Sequence, residues 1–201
     1  SGKYAKLAFT SDGRPVIAYQ SNGRLKIAYA SDAVTSTTYS WTCAAIDTSG
    51  SNRGEGIDLK LTSENVPHIV HFDSTSGSIR YVKATSAISS VISTPSSFSA
   101  EVVGGTGTTT AIITTPNLVV TTAGVVYVTY YSASVQALIL ASKASSTASW
   151  VTEYIDAATS NGSYISAAGQ YGSLNLNSSG YPLIFYRSNE NWLKYFSRET
   201  R

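Results

Sequence analysis

The sequence predicts an all-β fold, a β-propeller of four repeats of about 50 residues, each a four-stranded antiparallel meander. Three observations predict it. One register recurs four times along the 201 residues. Within it, apolar residues alternate with the two-residue period of half-buried strands. Only 13% of residues are charged, while Ser, Thr and 14 Tyr are abundant. Such residues decorate the solvent face of strands well and are poor material for surface helices.

The register runs from Leu7 to Tyr19, Leu59 to His71, Leu118 to Tyr130 and Leu174 to Tyr186. Spacings of 52, 59 and 56 residues separate Pro15, Pro67, Val126 and Pro182. Each copy opens on Leu-x-apolar, a period-2 strand with one buried face. Asp12-Gly13, Glu64-Asn65, Ala123-Gly124 and Ser179-Gly180 then supply the backbone of a tight turn. Proline just after the turn sits where its missing N–H does least harm. The second strand places Ile17, Ile69, Val128 and Ile184 in equivalent positions. Tyr19, His71, Tyr130 and Tyr186 follow on the same face, as inter-blade packing with their polar tips satisfied.

Third strands are expected at Leu25 to Ala30, Ile79 to Ala84, Leu138 to Ser142 and Leu193 to Ser197. Fourth strands are expected at Trp41 to Ile46, Phe98 to Val103 and Trp150 to Ile155, with Trp41 and Trp150 in the core between blades. One domain, 1–201, thus divides into repeats at about 1–52, 53–111, 112–167 and 168–201. The last repeat is expected to lack its fourth strand. Either four blades close with one short, or the chain is part of a larger ring. An unpaired blade edge invites a homo-oligomer.

Composition excludes several classes. Net charge is +2, and Lys and Arg are scattered without a basic run or aromatic–basic interleaving, so nucleic acid is not expected as a partner. Cys43 is the single cysteine, which removes an internal disulfide and a cysteine zinc site. The most apolar stretch, Leu118 to Tyr131, is broken by Thr121, Thr122 and Gly124 and is too short and polar for membrane insertion. The opening Ser1-Gly2-Lys3-Tyr4 lacks the pattern of a signal peptide, and no Met occurs, which reads as a processed or trimmed chain. A nearly thiol-free, Lys-poor, Ser/Thr-rich surface suits an extracellular or cell-surface bacterial protein.

Candidate chemistry lies in departures from the repeat. Asp12 and Glu64 are equivalent turn residues, and Asp47 and Asp156 equivalent strand-end residues, which reads as turn and cap scaffolding. Asp73 stands out, because its counterparts are Ser21, Ser132 and Ser188. His68 and His71 are three apart on a strand and point to opposite faces, so no metal is expected. Gly104-Gly105-Thr106-Gly107 has neither a following Lys nor a helix and reads as a flexible loop rather than a phosphate cradle. No cofactor is implied. The residue after the repeated aromatic varies as Gln20, Phe72, Tyr131 and Arg187. Trp192 sits in the polar turn Asn189-Glu190-Asn191-Trp192. Aromatic rings stack on sugars, and planar polar groups bond their hydroxyls. The candidate ligand-binding residues are therefore Gln20, Asp73, Tyr131, Arg187 and Trp192. Asn161 and Asn177 open Asn-x-Ser sequons.

The pattern Leu-x-Leu-x-Ser-x-Gly-x-Pro-x-Ile-x-Tyr, then Asn/Ser-Gly-x-Leu-Lys-Tyr, then Trp…Ile-Asp, resembles the β-propeller repeats of bacterial surface and secreted proteins, the sialidase-like or BNR-like repeats. Leu174 to Tyr195 is the clearest copy, and the resemblance spans essentially the whole chain. Ser11-Asp12-Gly13 lacks the spacing and the Trp of a sialidase Asp-box, Ser-x-Asp-x-Gly-x-x-Trp, so sialidase activity does not carry over. The resemblance implies a propeller and surface recognition, often of glycans. The expected function is a non-enzymatic extracellular module that recognises a glycan or a protein. Two alternatives stand beside it: a glycoside hydrolase or lyase-like enzyme with carboxylates from non-equivalent loops, and a structural, self-assembling propeller.

Overall fold

The same hydrogen-bonded turn opens all four repeats. The side-chain oxygens of Thr10, Thr62, Thr121 and Asn177 each accept the N–H of the residue four positions on, at 2.8, 3.2, 3.0 and 2.9 Å. Their backbone N–H groups donate back to that residue's carbonyl, at 3.0, 3.1, 2.9 and 2.8 Å. The tip residues Gly13, Asn65, Gly124 and Gly180 take φ of 81, 63, 81 and 79°, the left-handed conformation that Gly and Asn tolerate. These turns set the register of everything that follows.

The computed structural model describes residues 2–33, 35, 37–38, 40–48, 50–88, 97–106, 115–157, 169–188 and 191–198. Its strands form four antiparallel meander sheets, each like a propeller blade. Sheet 1 contains β1 (Lys3–Phe9), β2 (Pro15–Ser21), β3 (Arg24–Ala30) and β4 (Trp41–Asp47). Sheet 2 contains β5 (Arg53–Leu61), β6 (Pro67–Asp73), β7 (Ser78–Ala84) and β8 (Phe98–Gly105). Sheet 3 contains β9 (Asn117–Val120), β10 (Val126–Ser132), β11 (Ala137–Lys143) and β12 (Val151–Ala157). Sheet 4 contains β13 (Gln170–Leu176), β14 (Pro182–Arg187) and β15 (Leu193–Ser197). Residues 199–201, the Asn161 sequon and Asn189-Glu190 lie outside the described residues.

Successive sheets stack face to face, and a separate apolar core fills each gap. Between sheets 1 and 2, Val16, Leu25 and Ile27 meet Leu59, Ile69 and Val82. Between sheets 2 and 3, Val70, Phe72 and Ile79 meet Leu118, Val128 and Ile139. Between sheets 3 and 4, Leu138 and Leu140 meet Leu174, Ile184 and Tyr186. Along β6 and β10, side chains alternate between the preceding and the following sheet, whereas β2 and β14 bury one face against sheets 2 and 3 respectively. Among the described residues no such core joins sheet 4 to sheet 1.

Two expectations change. Gly104 and Gly105 are not a flexible loop: they end β8, paired with Ile79 and Ser78, and the adjacent Thr106 N–H bonds the Gly77 carbonyl at 2.8 Å. Gly107 lies outside the described residues. Trp41 is not core: it remains 42% exposed. Its counterpart Phe98 is buried because a sheet precedes its own, and nothing among the described residues covers that face of sheet 1.

Candidate functional site

A β-bulge recurs where the third strand meets the fourth, at Leu25/Lys26, Ile79/Arg80 and Leu138/Ile139. It places Asp47, Gly104 and Asp156 opposite Leu25, Ile79 and Leu138. Asp47 reaches across to sheet 2. Its Oδ2 accepts from Arg53 at 2.9 Å, Arg80 Nε at 2.7 Å and His71 Nε2 at 3.2 Å. Burial by itself raises the Asp47 pKa; the His71 and Arg80 hydrogen bonds and the Arg80 charge outweigh it and hold the carboxyl far below its ordinary value. Asp156 likewise reaches across from sheet 3 to sheet 4, accepting from Tyr186 at 3.0 Å and Lys194 at 3.2 Å. Asp47 and Asp156 are thus cross-sheet anchors rather than strand caps. The reading of these carboxylates as scaffold stands; their partners required the tertiary structure.

The opposite end of the gap between sheets 2 and 3 holds a different arrangement. A cleft of about 460 Å³ opens there, lined by Glu64, Val66, His68, Lys83, Val120 and Thr121, among others. A recess of about 60 Å³ continues from it past Tyr81, Glu101 and Lys143. His68 on β6 and Lys83 on β7 are cross-strand partners and share this face. Tyr81 Oη lies 2.6 Å from His68 Nδ1, which leaves Nε2 without a protein partner among the described residues. Burial, then repulsion by Lys83, lowers the His68 pKa to about 4, so the imidazole is neutral at neutral pH. Burial, then the Glu101 charge, raises the Tyr81 phenol, which stays protonated.

Around this pair, Lys143 Nζ bonds both Glu101 oxygens at 2.7 and 2.6 Å and lies 5.8 Å from the Trp150 ring centre. Trp150 packs edge-on against Tyr81 at 5.4 Å. Glu64 accepts from the Ser63 hydroxyl at 2.6 Å, a bond that leads in lowering its pKa. Lys83, half-buried, has no ion partner among the described residues. The result is one available cation beside a neutral imidazole, with both nearby carboxylates already engaged. No group of three or more metal-ligating side chains occurs among the described residues.

The five residues singled out from the sequence lie at the other end of the sheets. Gln20 and Asp73 come together through Arg53: Gln20 Nε2 donates to its carbonyl at 3.1 Å, and its guanidinium is 3.3 Å from Asp73 Oδ2. Asp73 is 1% exposed and also holds its turn, accepting from Thr75 N–H at 3.0 Å and Ser76 Oγ at 2.8 Å. Tyr131 is buried and lines a narrow crevice with Tyr171. Arg187 is exposed, bonds Asn191 Oδ1 at 2.7 Å and lies 5.9 Å over the Tyr171 ring. Trp192 is 67% exposed. Only Arg187 and Trp192 of the five present open surface.

Sequence reasoning treats His68 only as half of a His-x-x-His pair and does not single out Tyr81, Lys83 or Lys143. The signal existed as a break in the repeat. Val16, Tyr127 and Leu183 occupy the His68 position, and Tyr29, Ser142 and Ser197 the Lys83 position. Placing a histidine and a lysine side by side at two such positions is a local departure that apolar packing does not require.

The fold is similar to that of the NanB sialidase from Streptococcus pneumoniae, solved in complex with 2-[(3-chlorobenzyl)ammonio]ethanesulfonate. That similarity has a TM-score of 0.57 over 98% of this chain and 29% of the sialidase, at 14% identity. It is also similar to polysaccharide lyase Uly1, with a TM-score of 0.62 over 96% of this chain and 52% of that one, at 10% identity. At such identities the likeness is one of fold, and this chain spans 29% and 52% of those two chains. No protein-family model matches the chain, nor does any curated protein sequence. No helix among the described residues is long and apolar enough to cross a membrane.

Proposed function

We propose that this chain is part of a β-propeller enzyme acting on an acidic polysaccharide, with its chemistry in the cleft between sheets 2 and 3. The observation that carries this reading is Lys83, a cation without an ion partner among the described residues, beside His68, a buried neutral imidazole that lines the cleft and whose Nε2 has no protein partner among the described residues. Lys83 is suited to pair with the carboxylate of a uronic-acid residue. His68 is suited to move a proton at the adjacent carbon.

Elimination fits these groups better than displacement. Hydrolysis by two carboxylates needs one of them protonated. Glu64 is held ionised by its hydrogen bonds, and Glu101 is paired to Lys143. Elimination needs neither. His68 Nε2 removes the proton on the carbon next to the carboxylate, while Lys83 stabilises the charge that develops on the carboxylate oxygens. The electron pair forms a carbon–carbon double bond, and the glycosidic oxygen departs. The imidazolium, disfavoured by burial and by Lys83, returns its proton to that oxygen. Tyr81 fixes the ring through Nδ1. Similarity of fold to a polysaccharide lyase supports this reading without selecting the polymer. Such a polymer is met outside the cell, in keeping with an extracellular or surface location.

The test is incubation with polygalacturonate, alginate and a chondroitin-type glycosaminoglycan, following the ultraviolet absorbance of unsaturated uronate. The expected result is product formation with at least one polymer, lost in His68→Ala and reduced about 10²-fold or more in Lys83→Ala. New reducing ends without unsaturation would move the reaction to hydrolysis. Saturable binding without turnover would favour the second reading, a recognition module, for which Arg187 over Tyr171 and the exposed Trp192 are the specific support. Neither binding nor turnover with any acidic polymer would sink the proposal.

A further inference from the structure

Each end of the row of sheets exposes a face that is buried at every other step. On sheet 4, Leu193 and Tyr195 are 79% and 70% exposed. Their counterparts facing the next sheet are Leu25 and Ile27, Ile79 and Tyr81, and Leu138 and Leu140, none more than 4% exposed. On sheet 1, Leu7 is 56% exposed, whereas Leu59, Leu118 and Leu174 are 3%, 0% and 5% exposed. Phe9 extends the sheet 1 face, and Phe185 extends the sheet 4 face. Surfaces this apolar and this contiguous mark interaction sites.

We propose that these two faces are the two halves of one interface, and that a second copy of this chain covers each. The fourth sheet of one copy packs on the first sheet of the next. The argument is continuity with an interface the chain already makes three times. The exposed face of sheet 4 is equivalent to the face by which sheet 3 packs on sheet 4. The exposed face of sheet 1 is equivalent to the face by which sheet 2 packs on sheet 1. The faces are therefore complementary to each other rather than to themselves, and the contact is head-to-tail.

Charge fits the same arrangement. Tyr19 and Lys26 stand at the positions of His71 and Arg80, which meet Asp47, and of Tyr186 and Lys194, which meet Asp156. Those carboxylates belong to fourth strands. Sheet 4 has three strands among the described residues, so a docked sheet 4 would leave the Lys26 ammonium in water rather than bury it unpaired. The gap between sheets 2 and 3, with Gly104 and Ile139 at these positions, closes without any carboxylate there.

This inference is independent of the cleft. Sedimentation velocity across a concentration series on wild type, Leu7→Glu, Leu193→Glu and their equimolar mixture tests it. Wild type is expected at twice the 21.3 kDa chain mass or more. Each variant alone is expected to be monomeric, and the mixture to regain a dimer, because Leu7→Glu keeps an intact sheet 4 face and Leu193→Glu an intact sheet 1 face. Both residues are exposed in one chain, so circular dichroism should match wild type. If it does not, Phe9→Glu and Tyr195→Glu replace them. A wild type that stays at 21.3 kDa throughout would overturn the proposal and leave both faces to further sheets of a longer polypeptide. Leu193→Glu that still dimerises, or a mixture that stays monomeric, would overturn it as well.

Discussion

The Tyr130 hydroxyl occupies the space that a side chain at Gly104 would need. At the equivalent places between sheets 1 and 2 and between sheets 3 and 4, a carboxylate stands instead and accepts a hydrogen bond from His71 or Tyr186. One position in the repeat therefore alternates between an acid that bonds its partner and a glycine that makes room for it.

Gly104→Ala should overpack that site. Tyr130 is 3% exposed and lies within the core between sheets 2 and 3, so its ring has little room to retreat. A loss of about 1–3 kcal/mol is expected from urea unfolding. Tyr130→Phe removes the obstructing oxygen, and the double variant should recover part of the loss. Strict additivity of the two changes would contradict this account.

Asp47→Ala and Asp156→Ala should differ in cost despite occupying the same repeat position. Asp47 is 3% exposed, and its removal leaves Arg53, Arg80 and His71 facing one another without their shared acceptor. Breaking such a buried set costs about 3–5 kcal/mol. The Asp156 side chain is 21% exposed and its partner Lys194 49%, so solvent screens the ion pair and about 1 kcal/mol is expected. Unfolding midpoints of the two variants, measured side by side, check the order.

Two separable acid limbs are expected in the stability profile. His68 is held near 4 in the folded protein against 6.5 unfolded, so the unfolded chain binds the extra proton between those values. Stability should therefore fall as pH drops from 6.5 to 4, by about 3 kcal/mol at most, and His68→Gln should remove that slope. The Asp47 carboxyl is depressed below its unfolded 3.8. Its contribution is present above that value and is lost as pH falls further, and Asp47→Asn should flatten this lower limb. Thermal scans from pH 7 to 2 resolve both; a profile unaffected by either variant would contradict the assigned environments.

Much of the fold was legible because the repeat places the same local chemistry at the same spacing four times. The turns at Thr10, Thr62, Thr121 and Asn177, the strand order and the scaffold role of Asp47 and Asp156 follow from residue type and register. The candidate site was less legible. Gln20, Asp73 and Tyr131 stand out in the sequence as departures from the repeat that suit ligand binding, yet Gln20 and Asp73 meet the buried Arg53 and Tyr131 is itself buried. His68 was weighed only as half of a His-x-x-His pair. Its partners Tyr81 and Lys83 lie on the next strand, and Lys143 lies on the next sheet.

By itself the sequence determined the four meander sheets, since strand alternation and turn conformation are set within a few residues. Which faces are covered was decided only by the tertiary structure. A sheet's two faces carry similar apolar residues whether or not a neighbour is present, so Leu193 reads like Leu25 in the chain. One is 79% exposed and the other fully buried, because burial depends on what packs across the gap and not on the strand that bears the residue.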